Sequence, residues 1–290
     1  MGNLTDPMPT FSLLVPTWNN LAHLRLFVES LRRHSAREHQ LVVHVNEGRD
    51  GTREWLREER IEHTASDANI GICHAVNLAG AKARGDYVLY FNDDMVVAPG
   101  WDAALERAIA RVARHGAFML SGTMIEPAAS GNACVVIRDF GREPAGFDLE
   151  RFAREAPALA RPDWLGATWP PTLVSRELWH QVGGYSVEFS PGMGSDNDFS
   201  MKLWHAGCRV FLGVGDSLVY HFSETSTKRI RKNDGRRQFL MKWGLVQSVF
   251  DRCYLRRSLP AGADVVLPEP APTLGLRWQM LRSALKRRFG

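Results

Sequence analysis

The stretch Tyr87–Val97, YVLYFNDDMVV, joins an apolar run to three polar residues. The run YVLYF is short, apolar and abruptly ended, as is typical of a buried strand. Asn92, Asp93 and Asp94 follow it before Met95 resumes an apolar pattern. Carboxylates at the end of a buried strand are costly unless a positive group meets them. We therefore expect a positive partner beside this pair of aspartates.

Upstream of this stretch, strand-like and helix-like patterns alternate. Apolar positions at helical spacing predict helices, and short apolar runs predict strands; Pro16 is expected to end the first strand. Strands that alternate with helices favour an α/β fold whose mostly parallel sheet is covered by helices on both faces. The predicted strands are FSLLVPTW (11–18), QLVVHV (40–45) and IEHTAS (61–66), and the predicted helices are NLAHLRLFVESLRRH (20–34), DGTREWLREER (50–60) and ICHAVNLAGAKA (72–83).

Polar clusters follow three of the predicted strands. They are Thr17-Trp18-Asn19, Asn46-Glu47-Gly48-Arg49-Asp50 and Asn92-Asp93-Asp94. In parallel sheets, ligands bind outside the carboxyl ends of the strands. Paired carboxylates at that edge suit Mg²⁺ or Mn²⁺, which binds one or two carboxylates together with substrate phosphate oxygens. The alternative is that the third cluster only caps a turn.

Charge is divided unevenly along the 290 residues. From Lys228 onward there are 15 Lys and Arg against 4 Asp and Glu, so the residues before it hold 21 (36 − 15) basic and 28 (32 − 4) acidic side chains. We predict two parts, 1–235 and a basic helical extension 236–290, with a Pro- and Ala-rich linker near 259–273. Four cysteines without a CxxC pair favour reduced thiols and a cytoplasmic location.

The end of the chain, LGLRWQMLRSALKRRFG (274–290), reads as a basic amphipathic helix. Leu274, Trp278, Leu281 and Leu285 fall on one helical face, and the charged residues are all basic. This pattern suits an interfacial helix on the anionic inner face of a membrane. The alternative is a helix packed on the body or on a second protomer. No nucleic-acid partner is expected, because no aromatic residues interleave with the basic ones in a sheet pattern.

Five motifs occur in an order that resembles the family 2 glycosyltransferases. They are LLVPTWNN, HVNEGRDGT, NIGICHAVNLAGAKARGDYVLYFNDD, VGGY and GSDNDFSMKLWHAG, within residues 10–225. The resemblance implies a GT-A fold and inverting transfer of a sugar from a nucleotide-diphospho-sugar to a glycan or lipid-linked acceptor. It also implies a divalent metal and a part in surface polysaccharide or glycoconjugate assembly. The GxGxxG and P-loop signatures of rival nucleotide-binding folds are absent after the first strand.

The resemblance also implies residue roles. Asp196 would be the catalytic base with Asp198 in reserve, and Asp94 and His221 would be metal ligands. Pro16, Thr17 and Asn19 would form the first loop by the nucleotide, and Asn77 would face it from a helix. The full nucleotide-sugar set is Pro16, Thr17, Asn19, Asn46, Glu47, Asp50, Asn69, Gly71, Asn77, Asn92, Asp93, Lys228 and Arg229.

Three positions depart from the family pattern. Asn46-Glu47 stands where an acidic pair is usual, Asn92 replaces the first acid of a DxD motif, and Ser195 replaces the Glu of an "ED" pair. The loss at Asn92 leaves open a second interpretation, a degenerate domain that binds sugar nucleotides or glycans without turnover. The presence of Asp94, Asp196 and His221 together favours the enzyme.

Overall fold

The first ninety residues alternate strands and helices as the sequence predicts. The computed structural model describes residues 9–223 and 231–289. Its first elements are β1 (Phe11–Trp18), α1 (Leu21–His34), β2 (Gln40–Asn46), α2 (Thr52–Glu58), β3 (Glu62–Ser66), α3 (Gly71–Gly80) and β4 (Tyr87–Tyr90).

The second half is less regular and adds short strands between longer helices. Single 3₁₀ turns follow α4 and α5 and precede α7, and a π turn at Phe250–Tyr254 extends α9. The elements are β5 (Met95–Val97), α4 (Trp101–Val112), β6 (Phe118–Glu126), β7 (Val136–Ile137), α5 (Leu149–Glu155), β8 (Trp164–Leu165), β9 (Thr172–Ser175), α6 (Arg176–Val182), α7 (Ser195–His205), β10 (Val210–His221), α8 (Gly235–Trp243), α9 (Gln247–Val249) and α10 (Leu274–Phe289).

All ten strands of the described residues join one sheet. Its order is β3-β2-β1-β4-β9-β6-β10-β5, with β7 beside β6 and β8 beside β10. Strands β3, β2, β1 and β4 are parallel neighbours, whereas β9, β5 and β8 run antiparallel to their partners. The predicted mostly parallel sheet flanked by helices is confirmed, with a helix at the C-terminal end.

Strand β1 continues past Pro16, so the prediction that Pro16 ends it is wrong. Pro16 stays in register with His44 of β2, and Thr17 and Trp18 extend the pairing. The register with β4 stops at Leu14. Beyond that point β1 has a strand partner on one side only, where a proline without an N–H is tolerated.

Strand β10 ends beside β5, next to the Asn-Asp-Asp stretch. It pairs in parallel with β6, with a register shift between Val214 and Leu218. Its end pairs antiparallel with β5, which sets His221 opposite Met95. Gly213 permits the close packing of Trp164, since an added Cβ would lie 1.9 Å from that indole ring.

The C-terminal residues lie against the body. The predicted helical extension is interrupted at Gly244, which adopts a left-handed φ of 72°. In the predicted linker, Leu267 is buried and its N–H donates to the carbonyl of Arg209 at 2.7 Å. Within the described ranges, none of the helices combines the length and the apolar character needed to cross a bilayer.

Candidate active site

The three predicted polar clusters lie at one edge of the sheet. Strands β2, β1 and β4 are adjacent and parallel, so their carboxyl ends at Asn46, Trp18 and Tyr90 point the same way. This topology confirms the expected convergence and makes the edge a candidate ligand site.

Asn19 and Glu47 link the first cluster to the second. Asn19, at a left-handed φ of 47°, donates from Nδ2 to Glu47 Oε2 at 3.1 Å, and its Oδ1 accepts the N–H of Arg49 at 2.8 Å. The hydrogen bond from Asn19 is the main cause that lowers the pKa of Glu47, so this side chain is a carboxylate at neutral pH. Asn19 and Glu47 thus form a polar surface at the position where the family resemblance implies the nucleotide.

Asn46 and Asp50 use their polar atoms to hold the loops in place. Asn46 is buried, and its Oδ1 accepts the N–H of Ile70 at 2.9 Å. Asp50 accepts the N–H of Leu21 at 2.8 Å and the hydroxyl of Thr52 at 2.6 Å, which anchors the starts of α1 and α2. These contacts give both residues a role in shaping the edge.

Pro16 and Thr17 do not lie in a loop as predicted. Both are buried within β1, and Thr17 Oγ1 has no hydrogen-bond partner among the described residues. The strand extends further than the proline suggests, so Asn19 is the first loop residue of this cluster that has a fixed polar contact to the second cluster.

The start of α3 is fixed by Asn69 and Gly71. Asn69 Oδ1 accepts the N–H of Gly71 at 2.9 Å. Gly71 has a φ of 79°, and a Cβ there would lie 3.0 Å from the Cα of Pro191. The N–H of Ile72 donates to the Pro191 carbonyl at 3.1 Å, so the beginning of α3 closely contacts the segment that leads into α7.

Asn77 binds the backbone of Tyr185 on both sides. Its Nδ2 donates to the Tyr185 carbonyl at 2.7 Å, and its Oδ1 accepts the Tyr185 N–H at 2.8 Å. Asn77 was predicted to face the nucleotide, but both polar atoms of its side chain bind the Tyr185 backbone, so a structural role is the alternative. Gly184 is required beside it, because a Cβ there would lie 2.4 Å from Asn77 Oδ1.

His221 is the positive partner of the Asn-Asp-Asp stretch. Its Nε2 lies 3.4 Å from Asp94 Oδ1 and its Nδ1 lies 3.0 Å from Glu126 Oε1. Burial alone would lower the pKa of His221, but the Asp94 and Glu126 carboxylates outweigh it and raise the pKa to about 10. The ring is therefore an imidazolium between two carboxylates.

Glu126 is a site residue that the sequence analysis missed. It is the buried last residue of β6, and in the part of the chain that the structure describes its Oε2 has no hydrogen-bond partner. Hydrogen bonding to the second ring nitrogen fixes the orientation and tautomer of a histidine. The available signal was an acid at the end of a nine-residue buried strand.

Asp196, in the first turn of α7, has the pKa of a general base. Burial raises its pKa to about 7, against a smaller lowering by the Tyr185 hydroxyl, which donates to Asp196 Oδ1 at 3.2 Å. The Tyr185 ring is itself stacked on Phe199 with the ring centroids 4.7 Å apart. A base that titrates near neutrality is the type that proton abstraction at pH 7 requires.

Tyr90 lies between the two acidic parts of the site. Its ring is buried 5.5 Å from that of Tyr185, and its hydroxyl donates to Asn92 Oδ1 at 2.8 Å. Its pKa is raised well above the usual value, by burial first and then by the charges of Asp196, Asp93 and Asp94, among others. The charges of Asp196 and Asp94 therefore both act on the Tyr90 phenol.

Asp198 is fully buried beneath α8. Its Oδ1 accepts the indole N–H of Trp243 at 2.8 Å and lies 2.9 Å from Lys242 Nζ, while Oδ2 has no partner within residues 9–223 and 231–289. The side chain therefore ties α7 to α8. Its predicted reserve catalytic role is in conflict with this enclosure.

The predicted metal site contains two possible protein ligands, Asp94 and His221. In residues 9–223 and 231–289, no group of three or more His, Cys, Asp or Glu side chains could hold a metal ion. Asp94 and His221 offer a carboxylate oxygen and an imidazole nitrogen 3.4 Å apart, which fits two ligands of one ion that takes its others from phosphate and water. Lys228 and Arg229, predicted to meet the diphosphate, lie outside the described residues.

A family comparison agrees with the motifs. Residues 12–143, a little under half of the chain, match the family model described as glycosyl transferase family 2. No curated protein sequence matches the chain.

Solved structures of TarS from S. aureus share the fold. TarS residues 1–349 align with a TM-score of 0.57 and 15% identity over 97% of this chain and 72% of that one. The complex of TarS 1–349 with UDP-GlcNAc aligns with a TM-score of 0.56 and 18% identity over the same shares. Its complex with UDP aligns with a TM-score of 0.52 and 18% identity over 73% of this chain and 60% of that one.

The family match begins in β1 and includes the edge of the sheet where Asn19, Glu47 and Asp94 lie. Residues 12–143 thus match the glycosyl transferase family 2 model, and the chain as a whole has the GT-A fold that it shares with TarS.

Proposed function

We propose that this chain transfers a sugar, with inversion, from a nucleotide-diphospho-sugar to an acceptor hydroxyl, and that Asp196 is the catalytic base. The observation that carries the proposal is the hydrogen bond from Tyr185 that holds Asp196, a carboxyl group whose pKa burial raises to about 7. One carboxylate on the acceptor side is sufficient for a single displacement.

In this reaction Asp196 removes the proton of the acceptor hydroxyl as its oxygen bonds to the anomeric carbon. The bond from that carbon to the diphosphate oxygen breaks, and its electron pair leaves with the diphosphate. Attack opposite the leaving group inverts the anomeric configuration. The Tyr185 hydroxyl keeps Asp196 oriented during the proton transfer.

The donor would lie along the edge formed by the first two polar clusters. Asn19 and Glu47 present the polar surface for the base and ribose, and Asn92 and Asp93 lie at the end of β4 toward the diphosphate. UDP and UDP-GlcNAc are bound in solved structures of TarS, which has the same fold, and this supports a uridine nucleotide as the first donor to test.

Asp94 and His221 would hold Mn²⁺ or Mg²⁺ at the diphosphate, and Glu126 would orient the His221 ring. When bound, the metal would neutralise the charge of the departing diphosphate. A His221 that held the ion would be neutral, and Asp94 Oδ1, its present ion-pair partner, would be a ligand of the same ion.

We propose a cytoplasmic location on the inner face of the membrane, with a glycan or lipid-linked acceptor in surface polysaccharide or glycoconjugate assembly. The support is the balance of +11 (15 − 4) from residue 228 onward, which attracts an anionic surface.

A donor panel tests the proposal. Nucleotide release from UDP-, GDP-, dTDP- and CMP-sugars is measured with Mn²⁺, Mg²⁺ or EDTA, for wild type and Asp94→Ala. Metal-dependent release from one donor, lost in the variant, is expected. Tight donor binding without release, even with candidate acceptors added, would instead identify a binding domain. If the protein neither binds any of these donors nor releases nucleotide from them, the proposal is contradicted.

A further inference from the structure

Helix α10 has one face that packs on the body. Leu276 and Met280 pack against the hydrophobic core, and Ser283 is buried on the same side. Ser283 Oγ donates to the Gln279 carbonyl at 2.9 Å and accepts the N–H of Val246 at 3.4 Å. The position of the helix on the body is therefore fixed by both apolar and polar contacts.

The opposite face of α10 is an apolar stripe that the described residues leave uncovered. Leu274 is 84% exposed, Trp278 59%, Leu281 50% and Leu285 48%. Their spacing of four, three and four residues puts them on one line at 3.6 residues per turn. Because the packing face has its own partners, this stripe is a second apolar surface with nothing to bury it.

Cations border the apolar stripe, and α10 contains no acid. At 100° per residue, Arg277 falls on one side of the stripe and Arg282 and Lys286 fall on the other. An apolar strip between basic margins is the pattern of a helix that lies in a membrane interface, with its cations at the headgroups. A soluble protein partner or a nucleic acid would match only one of the two features.

A small cleft lies on the Lys286 side, between α10 and residues 246–252. Its volume is about 180 Å³, and its cationic lining side chains are Arg252, Arg282 and Lys286. Ser248, Gln279 and Ser283 add polar groups, and no acidic residue lines it. Arg252 donates to Gln279 Oε1 at 2.8 Å, which joins the two walls. Three cations without an acid make this cleft suited to an anion.

We propose that α10 and this cleft form one docking surface for an anionic phospholipid bilayer. The apolar stripe lies at the acyl-chain boundary, and the cleft receives the phosphate group of an anionic lipid between Arg252, Arg282 and Lys286. Arginine and lysine on two walls match the tetrahedral oxygens of a phosphate. The inference rests on the proposed membrane location and is independent of the transfer chemistry.

The test is sedimentation of the full chain with vesicles of phosphatidylcholine, alone or mixed two to one with phosphatidylglycerol. The cleft variant is Arg282→Gln/Lys286→Gln, and its matched control is Arg277→Gln/Arg288→Gln, with the same charge loss on the same helix outside the cleft. Trp278→Ser/Leu281→Ser removes the stripe. Competition by inorganic phosphate at constant ionic strength separates a lipid phosphate from a free one.

Wild type is expected to bind the anionic vesicles and not the neutral ones. Loss of two cations near the surface lowers partitioning by about 25-fold in either charge variant. The cleft variant is expected to lose about tenfold more, because it also loses charge-assisted hydrogen bonds to the phosphate. The stripe variant is expected to bind neither vesicle.

Equal losses in the two charge variants would overturn the phosphate cleft. If wild type does not bind anionic vesicles, the docking surface is overturned. A dimer in gel filtration that is absent in the stripe variant would overturn it as well. Phosphate that stabilises wild type thermally without competing with vesicles would assign the cleft to a free anion. Nucleotide release measured on each variant in solution shows separately whether the transferase proposal stands.

Discussion

The hydroxyl of Tyr185 donates to Asp196 Oδ1 at 3.2 Å, and the same tyrosine is held through its backbone by Asn77. The candidate base is thus oriented by a residue that α3 fixes in place. Because the pKa of this buried base is about 7, both the transfer rate and the stability of the protein should change with pH near neutrality.

The rate of transfer should depend on pH through Asp196. With a pKa of about 7, only the carboxylate form accepts a proton, so log kcat/KM should rise with unit slope below pH 7 and level off above it. The rate near pH 6 should be about one tenth of that near pH 8. Steady-state transfer across the pH range checks this.

Tyr185→Phe should move that profile to higher pH, because it removes the hydrogen bond that lowers the pKa of Asp196. Tyr220→Phe is the matched control: its hydroxyl binds the Gly141 carbonyl, in a cluster with Phe140 and Phe147. A profile unchanged in Tyr185→Phe, or moved equally in both variants, would contradict the assignment.

Asp196→Asn should stabilise the protein at high pH while it abolishes transfer. The folded-state pKa of Asp196 lies above its unfolded value, so its charge costs stability as the pH rises from about 4 to 7 and beyond. Removal of that charge should add on the order of 4 kcal/mol to the free energy of unfolding near pH 8, and less than half of that near pH 5. Urea unfolding at both pH values measures it; an equal effect at both would count against a raised pKa.

Asp198→Asn should destabilise the fold and leave the chemistry nearly intact. It breaks the ion pair with Lys242, which keeps its contact with Glu188 at 2.8 Å, so the loss should be about 1.5 kcal/mol, that of a hydrogen bond to a charged group. A double-mutant cycle with Lys242→Met should show coupling between the two positions. A loss of kcat by several orders of magnitude with unchanged stability would restore Asp198 as a candidate base.

Asn77→Ala separates the two roles open to Asn77. Loss of its two hydrogen bonds to the Tyr185 backbone should cost about 2 kcal/mol of stability and shift the pH profile of transfer. UDP affinity should stay within about twofold, since a lost hydrogen bond to the ligand would cost more. A large loss of UDP affinity with normal stability would instead place Asn77 at the nucleotide.

The part of the site that the sequence predicts is the part that local pattern controls. Strand and helix periods before Tyr90 are regular, and neighbouring parallel strands necessarily bring their polar ends together. Asn92, Asp93 and Asp94 therefore fall at the right edge from the pattern alone.

The rest depends on contacts between distant segments. Asn77 and Asp198 read as ligand-facing, but their partners Tyr185 and Trp243 are 108 and 45 residues away. Glu126 gains its role only because β10 returns beside β6 and delivers His221. A register shift in β10 hides this strand from a periodicity search.

The most direct measurement compares two functions in two variants. With Mn²⁺ present, UDP affinity and nucleotide release from the accepted donor are measured for wild type, Asp94→Asn and Asp196→Asn. Loss of a diphosphate-side ligand in Asp94→Asn should weaken UDP binding by roughly tenfold or more and slow release. Asp196→Asn should keep UDP affinity and lose release by at least about a hundredfold. An Asp196→Asn protein that still releases nucleotide at the wild-type rate would contradict the central claim.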